Sequence, residues 1–276
     1  VNGRPIAPRV RHPATPTRTG PSLETQGYHP CVPAPRVRRN RVEIRVAART
    51  DVGRVREGNE DAFLIRHPLY AIADGMGGHL GGEVASSLAV ETVADPGRSG
   101  MSLPERVLEA NRAVLERSKG DRAVAGMGTT FTGIELKDGV ARLAHVGDSR
   151  AYRFRDGTLE PLTEDHTLVG ELVRSGEIDE AAARSHPQRS VLLRCVGTEP
   201  TLEVDEGRVD LADGDRLLLC SDGLTEMLDA AAIAAVLAET SGDPDAAADR
   251  LVAEANEAGG SDNVTVIVLD VVEAAP

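Results

Sequence analysis

Between residues 129 and 162 the chain has no room for a crossover. Strand-like segments follow one another there, separated only by Asp138-Gly139 and Asp156-Gly157. Such dipeptides accept the left-handed backbone of a type I′ turn and close two-residue hairpins. Parallel neighbours need connections of a dozen residues or more, so these strands must pair antiparallel. Helices come in pairs on either side of the strand block. Segments 83–94 and 103–118 carry apolar residues at a helical period, with Pro104 suited to a first turn, and 230–239 and 245–258 repeat the pattern near the end. Further strands are expected at 42–48, 63–65, 69–73, 191–196, 202–209, 216–220 and 263–271, and residues 167–189 read as helical and irregular. Blocks of strands with paired helices indicate an α+β layered domain, helices covering sheet faces, rather than strict βαβ alternation.

Composition narrows the functions available to such a domain. The longest apolar run is nine residues, 230–238, against the roughly 20 needed to span a bilayer, so no membrane span is expected. Cys31, Cys195 and Cys220 form no CxxC pair and are odd in number, which argues against a disulfide framework or zinc finger and for a reducing, cytoplasmic setting. The net charge of −13 hides an asymmetry: residues 1–45 hold nine Arg and two acidic residues, and residues 46–276 hold 22 basic and 42 acidic ones. An acidic body argues against nucleic acid as a partner, because phosphate backbones need a basic face. The first 40 residues contain eight of the 16 prolines and little apolar periodicity. Residues 1–41 therefore read as a disordered Pro/Arg-rich extension, with order beginning near Val42.

The acidic residues are not all surface charge. Of five Asp-Gly pairs, those at Asp138, Asp156 and Asp213 lie in polar hairpin loops, whereas Asp74 follows Leu69-Tyr70-Ala71-Ile72-Ala73 and Asp222 follows Leu217-Leu218-Leu219-Cys220-Ser221. A carboxylate carried to the edge of an apolar core is costly unless paired or bound to a metal. Neither of the chain's two lysines, Lys119 and Lys137, is near in sequence. Asp148 ends the apolar segment 141–146, and Asp262 immediately precedes the last strand. With Glu60 and Asp61 these residues make an all-oxygen set suited to Mg²⁺ or Mn²⁺. Two such ions roughly 4 Å apart can bridge a water, lower its pKa and clamp an in-line phosphoryl displacement. Taken singly, each aspartate reads equally well as a cap or turn residue.

Other catalytic templates fail. The sixth residue after each cysteine is Val37, Thr201 or Glu226, so the Cys-x₅-Arg phosphatase loop is absent. There is no H-E-x-x-H, no Walker lysine and no G-x-S-x-G, since Gly147-Asp148-Ser149-Arg150 continues to Ala151.

The motifs as an ordered set resemble the metal-dependent serine/threonine protein phosphatases of the 2C type in their bacterial form. They run Thr50-Asp51-Val52-Gly53 with Arg56 and Asn59-Glu60-Asp61; Ala73-Asp74-Gly75-Met76-Gly77-Gly78-His79; Gly128-Thr129-Thr130; Val146-Gly147-Asp148-Ser149-Arg150; Leu162-Thr163-Glu164-Asp165-His166; Cys220-Ser221-Asp222-Gly223-Leu224; and Gly260-Ser261-Asp262-Asn263. The resemblance implies a four-layer α-β-β-α sandwich, with two antiparallel sheets face to face and the site at one end. It implies a catalytic domain over 42–272 with a mobile flap at about 167–190, and a tail at 273–276. It also implies two Mn²⁺ or Mg²⁺ ions with a weaker third. Asp74 would bridge both metals, with the Gly75 carbonyl on the second; Asp222 and Asp262 would hold the first, Glu60 the second metal's water shell, and Asp148 with Asp222 the third. Asp61 would orient metal-bound water and Arg56 would grip the substrate phosphate, where a guanidinium suits a dianion. The implied reaction is direct attack of a metal-bridging water on phosphoserine or phosphothreonine in proteins, a serine/threonine kinase among them, by a monomer.

One position departs from the family. Eukaryotic members carry a histidine, proposed as general acid, where this chain has Met76, and a thioether donates no proton. His79 is the candidate replacement, with a plain loop role as the alternative; His145 reads as a satisfied core histidine and His166 as a residue that orients its loop. A catalytically silent phosphoprotein-binding module and a small phosphate-monoester hydrolase are the competing functions.

Overall fold

The computed structural model describes residues 42–273, so the expected extension at 1–41 lies outside the described residues, as do 274–276 of the tail. In chain order the elements are β1 (Val42–Asp51), β2 (Asp61–Arg66), β3 (Leu69–Met76), α1 (His79–Ala94), α2 (Leu103–Gly120), β4 (Gly128–Thr129), β5 (Phe131–Lys137), β6 (Val140–Val146), β7 (Arg150–Arg155), β8 (Thr158–Pro161), α3 (Leu168–Arg174), α4 (Glu180–Arg184), β9 (Asp205–Asp210), β10 (Arg216–Cys220), α5 (Asp222–Thr225), α6 (Ala230–Glu239), α7 (Pro244–Glu257) and β11 (Val264–Glu273). Two antiparallel sheets result. One runs β1-β11-β10-β7-β8, the other β2-β3-β5-β6-β9 with β4 added to β3.

The continuous apolar runs follow from burial on both faces. In β3, Leu69, Ala71 and Ala73 pack with Ala85, Ala89 and Val93 of α1 and Val107, Ala110 and Val114 of α2. The alternate residues Tyr70 and Ile72 meet Leu217, Leu219, Ile267 and Leu269 of the opposite sheet. On the far side Leu218, Val266 and Val268 pack under Ile233, Val236 and Leu237 of α6 and Ala247, Leu251 and Ala255 of α7. The layers are therefore helix, sheet, sheet, helix, as the motif resemblance implies. Both hairpin dipeptides adopt the expected turn, Asp138 and Gly139 at φ 54° and 77°, Asp156 and Gly157 at φ 51° and 78°. Caps set the helix starts: Ser102 and Glu105 form a reciprocal capping box on α2, and Asp229 and Asp243 cap α6 and α7.

Two expectations about elements need correction. Residues 191–196 form no strand; they make only the isolated bridges Thr167↔Leu192 and Thr129↔Val196. Their backbone serves the preceding segment instead, Leu168 N–H donating to Val191 O and Leu193 N–H to His166 O, and Val191 and Leu193 face solvent at 41% and 53% exposure. The first helix begins at His79, four residues earlier than its periodicity indicates. Its first turn is pressed against β3 at Gly82, where a Cβ would stand 2.9 Å from the Gly75 carbonyl carbon and would displace the Glu60 carboxylate.

Candidate metal centre

The β1–β2 loop, residues 52–60, is folded onto the loop before β11 by one residue. Asn263 donates from Nδ2 to Val52 O (3.0 Å) and Gly58 O (2.9 Å), and its Oδ1 accepts from Glu60 N–H (2.8 Å). Arg54 N–H donates to Gly260 O at 2.7 Å. Gly53, at φ 82°, lets the backbones touch, since a Cβ there would stand 2.3 Å from Asp262 O. This clamp places Arg56 beside Asp262, Nη2 donating to Oδ2 at 2.6 Å, with the arginine side chain 50% and the aspartate 25% exposed. No lysine pairs the strand-ending carboxylates, but an arginine from a distant loop pairs one of them.

Strand register brings the other carboxylates together. Asp61 lies directly opposite Asp74 in the β2–β3 ladder, a like-charge pair that costs stability in an ordinary sheet. Asp74 sits within β3, and hydrogen bonds to its backbone hold it: its N–H donates to Thr130 Oγ1 (2.9 Å), and its carbonyl accepts from Thr129 Oγ1 (2.8 Å) and Thr130 N–H (2.8 Å). Thr130 Oγ1 also lies 2.7 Å from Ser149 Oγ, which ties β3 to the β6–β7 turn carrying Asp148. Asp222 opens α5 directly after β10. Gly75 is wedged between backbones, N–H donating to Glu60 O at 3.1 Å, with Gly82 O 2.1 Å from where a Cβ would be.

The electrostatics are those of mutually repelling acids in a confined space. Burial, then the charges of Asp61, Asp222, Asp148 and Asp262, push Asp74 well above the carboxylate range. Burial, then Asp148, Asp262, Glu226 and Asp61, does the same to Asp222. Burial pushes Asp61 up to about 6, with Thr265 and Ser221 opposing, and lifts Asp148 to about 7, with Asp165 adding and Arg150 opposing. Asp61 Oδ1 and Asp222 Oδ1 are buried without a hydrogen-bond partner, a cost that a cation removes. Among the described residues no three His, Cys, Asp or Glu side chains stand at the spacing of a closed ion cage. The fit to hard divalent cations rests on the all-oxygen donor set and on the two orphaned oxygens.

Three features beside the centre were not singled out by sequence. Arg150 forms a two-bond pair with Asp165, Nε to Oδ1 at 2.8 Å and Nη2 to Oδ2 at 2.6 Å. Glu226, one turn beyond Asp222, adds to its repulsion and lies 3.5 Å from Arg189 Nε, beyond α4. Ser221 Oγ donates to Asp61 Oδ2 at 2.8 Å. The histidines behave as their positions suggest. His145 is fully buried between Thr132 Oγ1 (2.8 Å) and Glu164 O (2.9 Å), its pKa pushed down to about 4 by burial and by His166. His166 accepts from Gly147 N–H at Nδ1 (3.1 Å), which leaves Nε2–H to donate to Asp205 Oδ2 (3.1 Å) and fixes its loop. His79 is the first residue of α1.

A helix-flanked double sheet with acidic side chains gathered at its end and an arginine at the rim defines a divalent-metal hydrolase of phosphate esters. This chain belongs to the protein phosphatase 2C family, whose model matches residues 55–253. It is 37% identical over 237 residues to the serine/threonine phosphatase stp of Listeria innocua, covering 80% of this chain and 94% of that protein. It is 42% identical over 241 residues to the serine/threonine protein phosphatase PstP of Mycobacterium tuberculosis, covering 83% of this chain and 45% of that protein. Among solved structures it resembles the catalytic domain of PstP in complex with two manganese ions, with a TM-score of 0.76 at 37% identity, covering 84% of this chain and 99% of the other. The chain is a metal-dependent phosphatase of this class, and no described helix is long and apolar enough to cross a membrane.

Proposed function

We propose that this protein removes phosphate from phosphoserine and phosphothreonine in proteins, a serine/threonine kinase among them, with residues 42–272 as the catalytic domain and residues 167–190 as its flap. The observation that carries the reading is the convergence of Asp61, Asp74, Asp148, Asp222 and Asp262 with two buried oxygens left unpartnered. In this reading Asp74, Asp222 and Asp262, with the Gly75 carbonyl, would hold two Mn²⁺ or Mg²⁺ ions, Glu60 would support the second ion's water shell, and Asp148 with Asp222 would hold a weaker third. When bound, these ions supply Lewis-acid neutralisation of phosphate charge and acidify a water.

The chain's own groups do the positioning. Arg56, half exposed and anchored on Asp262 through Nη2, directs its remaining guanidinium protons at two phosphate oxygens, which fixes the phosphorus for in-line attack. Asp61, held by Ser221 through Oδ2, offers Oδ1 to a proton of the attacking water and so aligns its lone pair. The departing serine or threonine oxygen takes its proton from His79 or from solvent. A monomer in the cytoplasm completes the reading; the buried free thiols Cys195 and Cys220 support a reducing compartment.

Parallel turnover of a phosphothreonine peptide, a phosphotyrosine peptide and a nucleoside monophosphate tests the substrate class. Preference for the phosphothreonine peptide by about 100-fold in kcat/KM supports it. Equal turnover of the nucleotide would make the protein a general monoesterase instead.

A further inference from the structure

The gap between the two sheets is filled by apolar side chains along most of its length, but near Asp74 and Asp222 a chain of hydrogen bonds crosses it and terminates on Asp61. Asn59 Nδ2 donates to Thr50 Oγ1 at 2.8 Å. Thr50 Oγ1 stands 2.7 Å from Thr265 Oγ1, its directly opposed partner in the β1–β11 ladder. The Thr265 hydroxyl faces the Asp61 carboxylate. The Thr265 N–H donates to Ser221 Oγ at 2.9 Å, and Ser221 Oγ–H donates to Asp61 Oδ2 at 2.8 Å. Asn59 closes the ring, its Oδ1 accepting from Asp61 N–H at 3.1 Å.

Proton counting gives this ring one direction. A carboxylate only accepts, so a Thr265 hydroxyl turned to Asp61, where it opposes the rise of the carboxyl pKa, gives its proton there and takes the Thr50 proton in exchange. Ser221, whose oxygen is occupied by a backbone N–H, likewise spends its proton on Asp61. Thr265 and Ser221 are fully buried, so water cannot replace either. Ser221 holds Oδ2, and Oδ1 is left buried and unpartnered.

We propose that Thr265 and Ser221, backed by Thr50 and Asn59, are positioning residues for the phosphatase reaction, which lock the Asp61 carboxylate so that Oδ1 is presented to the water shell of the metal centre. The inference rests on the role given to Asp61 above. A merely structural role is the competing account, because opposed Thr–Thr pairs are ordinary in antiparallel sheets.

The test is Thr265→Val, which keeps shape and removes the hydroxyl, against Thr265→Ser, which keeps the hydroxyl; Thr50 is exposed and water can satisfy it in either variant. Each is measured for kcat and KM on a phosphothreonine peptide, for Mn²⁺ affinity by calorimetry and for melting temperature, and the Mn²⁺ titration is repeated in an Asp61→Asn background. Thr265→Val should lower kcat and weaken Mn²⁺ binding by about tenfold each, the effect of losing an outer-shell partner, with KM within about twofold. Thr265→Ser should restore both. In the Asp61→Asn background Thr265→Val should change Mn²⁺ affinity no further, since its effect passes through that carboxylate. An equal loss of affinity in both backgrounds, or failure of serine to rescue, overturns the proposal. Ser221→Ala, measured the same way, decides the matter if Thr265→Val does not fold. A wild-type protein that binds Mn²⁺ but leaves the phosphopeptide intact would refute the proposed function, while the Mn²⁺ cycle would still test the positioning role.

Discussion

Replacing Asp74 with asparagine should stabilise the metal-free protein and make it indifferent to Mn²⁺. Asp74 faces Asp61 directly across the β2–β3 ladder, where opposed side chains stand about 5 Å apart. At that separation and an effective dielectric constant of about 20, two full charges repel by about 3 kcal/mol. Partial protonation of the raised carboxyls relieves some of this, so removing one charge should gain about 1–2 kcal/mol. The substitution removes little else, because the hydrogen bonds that hold Asp74 run to its backbone. The pH dependence follows with a definite sign. Asp61 and Asp148 rise from 3.8 to about 6 and about 7 in the folded protein. The native state then binds more protons than the unfolded state between those values, and Asp74 and Asp222 act in the same direction, so metal-free stability falls as pH rises from about 4 through about 7. Urea unfolding in EDTA should show the wild type less stable at about pH 8 than at about pH 5. Mn²⁺ at about 100 times its dissociation constant should add about 2.7 kcal/mol to the wild type and almost nothing to Asp74→Asn. An Asp74→Asn protein less stable than wild type in EDTA at about pH 8, or one that keeps the full Mn²⁺ increment, would refute this account of the cluster.

Other substitutions separate phosphate binding, metal binding and folding. Arg56→Ala should lower kcat/KM for a phosphopeptide by about 100-fold, with Arg56→Lys recovering only part because an ammonium cannot make the two-pronged contact; steady-state kinetics would show it. Gly75→Ala puts a Cβ 2.1 Å from Gly82 O and 2.7 Å from Glu60 O. Backbone lies on both sides, so calorimetry should find weakened Mn²⁺ binding and unfolding a loss of about 1–3 kcal/mol. Arg216→Ala leaves Asp270 uncompensated: the two side chains are 4% and 9% exposed, and Arg216 also donates to Leu237 O (2.9 Å) and Thr240 O (3.0 Å) at the end of α6. Denaturation should register a loss of about 3–5 kcal/mol with Mn²⁺ affinity of the folded fraction unchanged.

Local chemistry explains which features could be read from the amino-acid order. Asp138-Gly139 and Asp156-Gly157 determine their own turns, and the doubly buried runs of β3 and β10 announce themselves by continuous apolarity, so the antiparallel layers were legible. The carboxylates Asp74 and Asp222 stood out because charge at the end of such a run is anomalous. What remained hidden depends on contacts between distant residues. Arg56 meets Asp262 across 206 positions, and Ser221 meets Asp61 across 160, and neither side chain carries a local sign of its partner. Residues 191–196 have the composition of a strand, yet only Val196 pairs with one, at Thr129 of β4, and the backbone of Val191 and Leu193 is spent on Leu168 and His166. The early start of α1 was masked by Gly81 and Gly82, poor helix formers whose missing side chains let the helix close on Met127 at Gly81 and on Glu60 and Gly75 at Gly82.

Hydrolysis of a phosphothreonine peptide by the purified protein with Mn²⁺, with EDTA, and by Asp222→Asn with Mn²⁺ tests the central claim most directly. Turnover that requires Mn²⁺ and is lost both in EDTA and in a folded Asp222→Asn protein is the expected result. Turnover that survives EDTA, or an Asp222→Asn protein as active as the wild type, would contradict a metal-dependent phosphatase centred on these carboxylates.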